Sequence, residues 1–207
     1  HRYDQIDKQD VCQNDFIKFV KHLWPEFIEG RHHKIIGDKF NRIAEGKLKR
    51  LIVCLPPRHS KSEFASTYFP AWMMGRRGDL KIIQTTHTAE LAVRFGRKVR
   101  NIIDSEDYQH IFPDLKLQAD NKSAGRWTTN QEGESFYAGV GGAITGRGAD
   151  LLIIDDPHSE QDALSPKSLE SAYEWYTSGP RQRLQPGGII VIVMTRWSTK
   201  DLVGKVL

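Results

Sequence analysis

The sequence predicts an α/β fold built on a mostly parallel sheet with helices on both faces. Short apolar runs of strand length recur along the chain, and segments with helical spacing of apolar residues follow them. The strongest runs, at 51–55, 151–154 and 189–194, are continuous rather than alternating. Continuous runs are typical of strands covered on both faces, and regular alternation of strands with helices favours a parallel sheet.

Two helices are expected before the first strand. Residues 16–24 place apolar side chains at helical spacing, and Pro25 ends this helix because proline lacks the N–H that would continue it. A second helix carries Ile36, Phe40 and Ile43 on one face and stops near a glycine.

The remaining elements continue the alternation in chain order. We expect a strand at 51–55, a helix at 61–74, a strand at 80–86, a helix that buries Leu91, Phe95, Val99 and Ile102, short strands at 126–129 and 134–138, a strand at 151–155, a helix from Ser165-Pro166 that buries Leu169, Ala172, Tyr173 and Tyr176, a strand at 189–194 and a helix from about Thr199. Apart from its short strand, the stretch 104–130 shows no regular pattern. A loop with five glycines, between 139 and 148, precedes the strand at 151–155.

Composition and charge exclude several classes of protein. The 207 residues are 39% hydrophobic and 27% charged, which is ordinary for a globular domain and unlike a disordered chain, a fibre or a disulfide-stapled miniprotein. No apolar run approaches the roughly 20 residues of a membrane-spanning helix. The net charge of +4 is compatible with nucleic-acid binding. The eight histidines show no zinc-binding spacing, and no G-x-S-x-G sequence supports a serine hydrolase.

The two cysteines and the chain ends give expectations about environment. Cys12 and Cys54 have no metal-ligand spacing, so we expect reduced, buried thiols. The polar start resembles no signal peptide, which favours a cytosolic location. Because the sequence begins without Met and stops at Val206-Leu207 within an amphipathic pattern, we expect it to be part of a longer protein. Its length predicts one domain, with 1–46 as a helical lead-in and 47–207 as the core.

The segment 55–62, Leu-Pro-Pro-Arg-His-Ser-Lys-Ser, lies between a predicted strand and a predicted helix. This is the setting of a phosphate-binding loop, in which backbone N–H groups and a helix N-terminus hold phosphate oxygens. Lys61 would reach the β- and γ-phosphates of a nucleotide, and the Ser62 hydroxyl would ligate Mg²⁺. Leu55 and Ser60 stand where the usual loop has glycines. The alternative interpretation is a proline turn with a serine that caps the helix.

Two carboxylates, Asp155 and Asp156, directly follow the apolar run at 151–154. The carboxyl end of a parallel strand points such acids into the crevice where ligands bind. Asp155 could hold Mg²⁺ through water, and Asp156 could orient or deprotonate an attacking water. The alternative interpretation is an Asp-Asp-Pro turn that ends a strand. Taken together with the loop about a hundred residues earlier, the acidic strand predicts a Mg-nucleotide site.

Three motifs in order resemble the large terminase subunit of tailed phages, which is the DNA-packaging motor. They are Leu-Pro-Pro-Arg-His-Ser-Lys-Ser-Glu at 55–63, Asp-Leu-Leu-Ile-Ile-Asp-Asp-Pro at 150–157, and Val-Met-Thr-Arg-Trp at 193–197 with Asp201-Leu202 behind it. The resemblance covers the chain from about Gly30 onward. It implies a P-loop NTPase fold of the ASCE type, with an added strand between the two nucleotide motifs. It also implies a C-terminal RNase H-like nuclease domain, which this sequence lacks.

The resemblance implies roles for individual residues. For nucleotide binding it implies the loop residues Pro57, Arg58, His59, Ser60, Lys61, Ser62 and Glu63, together with His32 at a position linked to the adenine pocket. For Mg²⁺ it implies Ser62 and Asp155. For catalysis it implies Asp156, where many members have Glu, then Arg58 near the phosphates, and Thr195, which with Arg196 matches the coupling motif that senses the γ-phosphate. Glu160 is a second candidate for the catalytic acid.

Arg147 lies in the glycine-rich loop, nine residues before Asp156. Motors of this family resemble ring ATPases in which an arginine finger enters the neighbouring subunit's site. Such an arginine stabilises charge on the transferring phosphoryl group and is worth roughly 10³ or more in rate. Arg147 is therefore a candidate finger, the alternative being a solvent-exposed arginine in a mobile loop.

A basic helix face and the resemblance together indicate partners. Arg94, Arg97 and Lys98 share one face, which could meet DNA phosphates or could simply be solvated. The resemblance implies ATP and Mg²⁺ as cofactors. As partners it implies double-stranded DNA, the portal protein, the small terminase subunit and further copies in a ring, a pentamer on the portal. It places the protein in the host cytoplasm during phage assembly. The other functions considered are a helicase-like DNA translocase and a DNA-binding module with a decayed nucleotide site.

Overall fold

The computed structural model describes residues 2–144 and 146–207, with side chains for 8–119, 123–144 and 146–207. In the described residues the helices are α1 (Arg2–Asn14), α2 (Phe16–Leu23), α3 (Arg31–Ala44), α4 (Lys61–Glu63), α5 (Phe69–Arg76), α6 (Ala89–Ile103), α7 (Glu106–Ile111), α8 (Glu160–Ala163), α9 (Pro166–Ser178) and α10 (Leu202–Val206). A π-helical turn, Phe64–Tyr68, joins α4 to α5, and a 3₁₀ turn, Pro180–Arg183, follows α9.

The strands form one seven-stranded sheet. They are β1 (Arg50–Cys54), β2 (Lys81–Thr86), β3 (Leu117–Ser123), β4 (Arg126–Thr129), β5 (Glu134–Gly139), β6 (Ala149–Asp155) and β7 (Leu184–Met194). Their order across the sheet is β1-β7-β6-β2-β5-β4-β3. The first five strands in that order are parallel, and β4 and β3 add an antiparallel hairpin at one edge. The predicted mostly parallel α/β fold is confirmed.

Helices cover both faces of this sheet, as the continuous apolar runs predict. Side chains of a strand point alternately to opposite faces. In β6, Leu151 and Ile153 pack into a core beneath the helices from α1 to α7. The alternate residues Leu152 and Ile154 pack into a second core with α9 and α10. All four side chains are fully buried, which explains why this strand is continuously apolar.

Strand β7 is inserted between β1 and β6, so an added strand separates the loop-bearing strand from the acidic strand. This agrees with the ASCE arrangement. In the described residues β1 pairs with β7 alone and is therefore an edge strand, only partly buried. The expectation of a fully covered first strand, with a buried Cys54, was wrong: Cys54 is exposed at the end of this edge strand, whereas Cys12 is buried.

Two elements lie in the stretch 104–130 where no regular pattern was expected. Helix α7 has only six residues, and Ser105 caps it by accepting a hydrogen bond from the Tyr108 N–H. Strand β3 has the polar sequence Leu-Gln-Ala-Asp-Asn-Lys-Ser and pairs only with β4 in the described residues. An edge strand of this kind carries no continuous apolar run, because no layer of helices has to cover it on both sides.

Other boundaries differ by a few residues from the sequence expectations. Strand β7 begins at Leu184 rather than at 189, and α10 begins at Leu202 with Asp201 as its cap rather than near Thr199. In α6 the fully buried residue of the last turn is Ile103. Among the described residues no helix combines the length and apolarity needed to span a bilayer.

Candidate active site

The residues predicted for the nucleotide loop, the acidic strand end and the coupling motif meet at the carboxyl edge of the parallel strands. Cys54 at the end of β1 is in register with Met194 of β7, and Val193 is in register with Asp155 of β6. The segment after β1, the acids of β6 and Thr195 after β7 therefore lie side by side. The Thr195 hydroxyl donates to the carbonyl oxygen of Leu55 (3.3 Å), which joins the end of β7 to the start of the loop. Crevices at this edge are where open α/β sheets bind ligands.

The loop between β1 and α4 has an unusual backbone for a segment without glycine. Arg58 (φ 62°) and Ser60 (φ 58°, ψ 14°) both adopt the left-handed conformation. Ser60 thus takes a conformation that the usual glycine reaches without strain. In the described part of the chain, the N–H groups of Arg58, His59 and Ser60 donate to no backbone or side-chain acceptor. Free N–H groups in turns of this type form anion-binding concavities.

Lys61 is the first residue of α4, and its side chain is buried although it is charged. Its Nζ lies 3.1 Å from Oδ2 of Asp156. The other carboxylate oxygen, Oδ1, accepts a hydrogen bond from the Thr195 N–H at 2.9 Å. The Asp156 backbone is itself left-handed, with φ 40°. Lys61 and Thr195, which were both predicted for the site, are therefore each in direct contact with Asp156, the predicted catalytic carboxylate.

Asp155 is buried beneath this pair and held by two serines. The Ser62 hydroxyl donates to Oδ1 at 3.0 Å, and the Ser66 hydroxyl donates to Oδ2 at 2.6 Å. Burial raises the pKa of Asp155 to about 7, and the Asp156 charge adds to this, while the two serines and Lys61 act in the opposite direction. A cation beside a buried carboxyl favours its charged form.

The donor set at Asp155 fits a magnesium ion. Mg²⁺ prefers oxygen ligands, often one or two from the protein beside substrate phosphates and water. Here a carboxylate and a hydroxyl, from Asp155 and Ser62, lie together at the N-terminus of α4 and beside the phosphate-binding loop. Both residues were predicted for this role from the sequence.

The other loop residues predicted for nucleotide binding surround the same N-terminus. Pro57, Arg58 and His59 are exposed, and the His59 ring contacts the Pro57 carbonyl through Nδ1 at 2.8 Å. The ring of His32, at the start of α3, lies 5.7 Å from the His59 ring, centroid to centroid. The fold thus brings His32, which is remote in sequence, to one side of the loop. Its assignment to an adenine pocket remains a prediction.

Arg147 lies away from the loop of its own chain. Its guanidinium forms an ion pair with Glu134 and sits over the Phe136 ring, 4.1 Å from the ring centroid. Glu134 begins β5 and is in register with Lys81, the first residue of β2. These residues are at the amino end of the parallel strands, opposite Asp156. Arg147 therefore belongs to a different surface from the nucleotide loop. Glu160, the second candidate, lies at the exposed start of α8, and in the described part of the chain it forms no hydrogen bond or ion pair with Asp156.

The basic residues of α6 lie on its outer face. Arg94, Arg97 and Lys98 are all exposed, while Phe95 and Val99 face the core. Lys98 also forms an ion pair with Glu63 of α4, two residues after Lys61. Helix α6 is thus connected directly to the phosphate-loop helix, a link that the sequence alone did not predict.

Three buried polar residues support the site, and no role was predicted for any of them, although Asp201 lies behind the third motif. Ser66 follows Ser62 by four residues, the spacing that places two side chains on one helix face, so this signal was present. Asp201 accepts hydrogen bonds from the Trp197 N–H (2.9 Å) and from Nε of Arg196 (3.0 Å), which fixes the segment after Thr195. His158 accepts from the Leu202 N–H through Nε2 at 3.0 Å, which joins the end of β6 to α10.

The fold and this arrangement define a class. A mostly parallel sheet with an added strand between a lysine-bearing loop and an acidic strand end is the P-loop NTPase fold. The loop departs from the usual sequence at Leu55 and Ser60, but Ser60 keeps the left-handed backbone that the turn requires.

A comparison with solved structures finds a protein with a similar fold. The crystal structure of the HK97 bacteriophage large terminase matches with a TM-score of 0.62 over 93% of this chain, at 12% sequence identity. The resemblance to large terminases is thereby confirmed at the level of the fold. This chain spans 40% of the length of that protein. No family model matches the sequence, and no curated protein matches it.

Proposed function

We propose that this chain is an ATP-hydrolysing motor domain that drives double-stranded viral DNA into a procapsid. The observation that carries the proposal is the meeting of Lys61, Ser62, Asp155 and Asp156 at one edge of the sheet. The fold shared with a phage large terminase supports the packaging role.

The loop and α4 would bind the phosphates of ATP. The N–H groups of residues 58–60, which find no acceptor among the described residues, and the ammonium group of Lys61 supply the positive potential. Arg58, exposed beside them, can form charge-assisted hydrogen bonds with phosphate oxygens. Ser62 and Asp155 would hold Mg²⁺, which supplies charge neutralisation of the phosphoryl oxygens.

Asp156 is the residue proposed to position and deprotonate the attacking water. Its carboxylate is partly exposed, whereas that of Asp155 is buried, so only Asp156 can reach solvent water. A phosphate that draws Lys61 away would free Oδ2 of Asp156 for that water. Proton transfer by a placed side chain typically contributes about 10²–10⁴-fold in rate.

Thr195 and Arg196 are proposed to pass the state of the nucleotide to the rest of the motor. Thr195 binds Asp156 through its N–H and Leu55 through its hydroxyl. The next residue, Arg196, is fixed by the fully buried Asp201 at the N-terminus of α10. A shift of Asp156 during hydrolysis would therefore be felt at the start of α10.

Two surfaces would meet other molecules of the motor. Arg147 is proposed as an arginine finger for the neighbouring subunit in a ring, which requires its ion pair with Glu134 to break.

Arg94, Arg97 and Lys98 are proposed to contact DNA phosphates. Replacing Arg94 and Arg97 by Gln should lower the dependence of log Kd on log salt concentration by about two units, because each lost phosphate contact removes about 0.9. An unchanged slope would remove this face from the DNA site.

The remaining partners follow from the packaging role. As partners we propose the portal protein, on which the ring docks, and the small terminase subunit. We propose that the protein acts in the host cytoplasm during phage assembly.

The other functions considered make different predictions. A helicase-like translocase would need a second motor domain, and a DNA-binding module with a decayed site would bind DNA without ATP turnover.

Translocation can be tested with the intact protein. A motor displaces a triplex-forming oligonucleotide from double-stranded DNA in the presence of Mg-ATP. The wild type and a Lys200→Ala control, which removes an exposed lysine, should displace it, and Lys61→Ala should not. Displacement that is equal in Lys61→Ala and the control, or that needs no ATP, would contradict the proposal.

A further inference from the structure

Ser66 donates a short hydrogen bond to Asp155, and no step of the proposed ATP hydrolysis assigns it a role. Its side chain is fully buried, and its hydroxyl donates to Oδ2 of Asp155 at 2.6 Å. Ser62 donates to the opposite oxygen, Oδ1, at 3.0 Å. The two serines thus hold the two oxygens of one carboxylate, and only the Ser62 side lies at the loop.

The backbone that presents Ser66 is not a regular α-helix. In the turn Phe64–Tyr68 the Phe69 N–H donates to the Phe64 carbonyl, five residues back instead of four. π-Helical turns are rare and are frequently found at functional sites, because they shift the side-chain register inside a helix. Here the turn begins two residues after Ser62 and contains Ser66.

Gln84 of β2 joins this turn to the sheet through a hydrogen bond. Its Nε2 donates to the Ser66 carbonyl oxygen at 2.9 Å, and the whole contact is buried. Gln84 itself is 1% exposed. A chain of contacts therefore runs from the sheet through Gln84 and Ser66 to Asp155, entirely behind the surface that would face a ligand.

We propose that Ser66 is a positioning residue for the metal-binding carboxylate of Asp155, with Gln84 and the π-helical turn setting its place. This rests on the proposed function and concerns the same site. With Oδ2 held by Ser66, the carboxylate cannot rotate freely, and Oδ1 stays beside the Ser62 hydroxyl. Oδ1 of Asp155 and the Ser62 hydroxyl oxygen, which would ligate or contact Mg²⁺, are thus held in place before the ion binds. Loss of such an outer contact typically lowers metal affinity about 10–100-fold.

The test measures how much Mg²⁺ strengthens nucleotide binding. Calorimetry gives the Kd of ADP for the full-length protein in EDTA and in saturating Mg²⁺, and the ratio of the two is the Mg²⁺ enhancement. Ser66→Ala should lower this enhancement about tenfold or more and leave the metal-free Kd unchanged. Thr67→Val is the matched control, because the Thr67 hydroxyl next door is buried and has no hydrogen-bond partner among the described residues. It should keep the wild-type enhancement.

Each result decides a separate point. A wild-type enhancement in Ser66→Ala, folded by circular dichroism, overturns the role of Ser66 and leaves the proposed function intact. Gln84→Met keeps the length of the side chain without its donor and should lower the enhancement in the same direction. No change in that variant overturns the part assigned to Gln84. A wild type that binds no nucleotide in either condition contradicts the proposed function and this inference together.

Discussion

The ammonium group of Lys61 lies 3.1 Å from the carboxylate of Asp156, so the lysine that would bind phosphate is paired with the acid that would activate water. Lys61 is buried and Asp156 is partly exposed. The pair stabilises the buried ammonium ion, which would otherwise be costly. A phosphate that binds in the loop would compete with Asp156 for the Lys61 ammonium group. If the phosphate takes the ammonium group, the Asp156 carboxylate is released and can act as a base for water.

Replacing Asp156 by Asn separates binding from chemistry. The amide oxygen can still accept from the Thr195 N–H, but it cannot deprotonate water. Mg-ATP binding should therefore persist, while turnover falls about 10²–10⁴-fold. Glu160→Gln, which changes the second candidate acid on the exposed start of α8, should retain near-normal turnover. The reverse result, a loss in Glu160→Gln and none in Asp156→Asn, would exchange the two assignments.

The left-handed backbone of Ser60 predicts opposite effects of two substitutions. Glycine reaches this conformation without strain, so Ser60→Gly should fold at least as well as the wild type, within about 1 kcal/mol. A β-branched residue is strained there, so Ser60→Val should lower the free energy of unfolding by about 1–2 kcal/mol. Urea denaturation measures both. Equal stability of the two variants would show that the loop does not need this backbone.

Arg147 can act on a neighbouring subunit only if two defective subunits complement each other. Arg147→Ala keeps its own Lys61, and Lys61→Ala keeps its own Arg147. Mixing them should restore part of the ATP turnover if the arginine enters the adjacent site. A matched mixture of Lys61→Ala with Asp156→Asn should restore none, since both lesions lie in the same site. No recovery in the first mixture at any ratio or concentration would remove the support for a finger.

His158 predicts a pH dependence of stability. Burial lowers the pKa of His158 below the value of 6.5, although Asp201, Asp162 and Asp156 oppose this. The unfolded chain therefore binds this proton at a higher pH than the folded chain does, so the contribution of His158 to stability falls as the pH drops below about 6.5. Protonation would also prevent Nε2 from accepting the Leu202 N–H.

The contribution of His158 can be isolated by substitution. Between pH 7.5 and 5.5 the wild type should lose more of its free energy of unfolding, or gain less, than His158→Gln does, because the opposite contribution of Asp155, whose pKa is raised, is common to both proteins. His110→Gln, which replaces an exposed histidine on α7, should show the same change as the wild type. An equal change in all three proteins would contradict the assignment to His158.

The sequence predicts the central strands well because their burial leaves a strong pattern. Strands β6 and β7 are covered on both faces, and each therefore shows a continuous apolar run. Strand β3 and helix α7 leave no such pattern, since one is a polar edge strand and the other has six residues. Cys54 was placed in the core because a short apolar run does not reveal whether its strand lies at the edge of the sheet.

The site was predictable where its residues follow directly from strand ends. Lys61, Asp155 and Asp156 come after parallel strands, and the carboxyl ends of those strands must meet at one edge. The π-helical turn was not predictable, because Phe-Ala-Ser-Thr-Tyr at 64–68 fits an α-helix equally well. The position of Arg147 was not predictable either, because it depends on the path of a glycine-rich loop that sequence spacing does not fix.

Mg²⁺-dependent ATP turnover by this chain, measured beside Lys61→Ala across protein concentration, tests most directly whether the loop binds nucleotide. We expect turnover in the wild type that is lost in the variant, even though Leu55 and Ser60 replace the usual glycines. We also expect the rate per subunit to rise with concentration, because neighbouring subunits would complete the site. Equal turnover in both proteins, or a wild type that neither hydrolyses nor binds ATP, would show that this loop is not a nucleotide site.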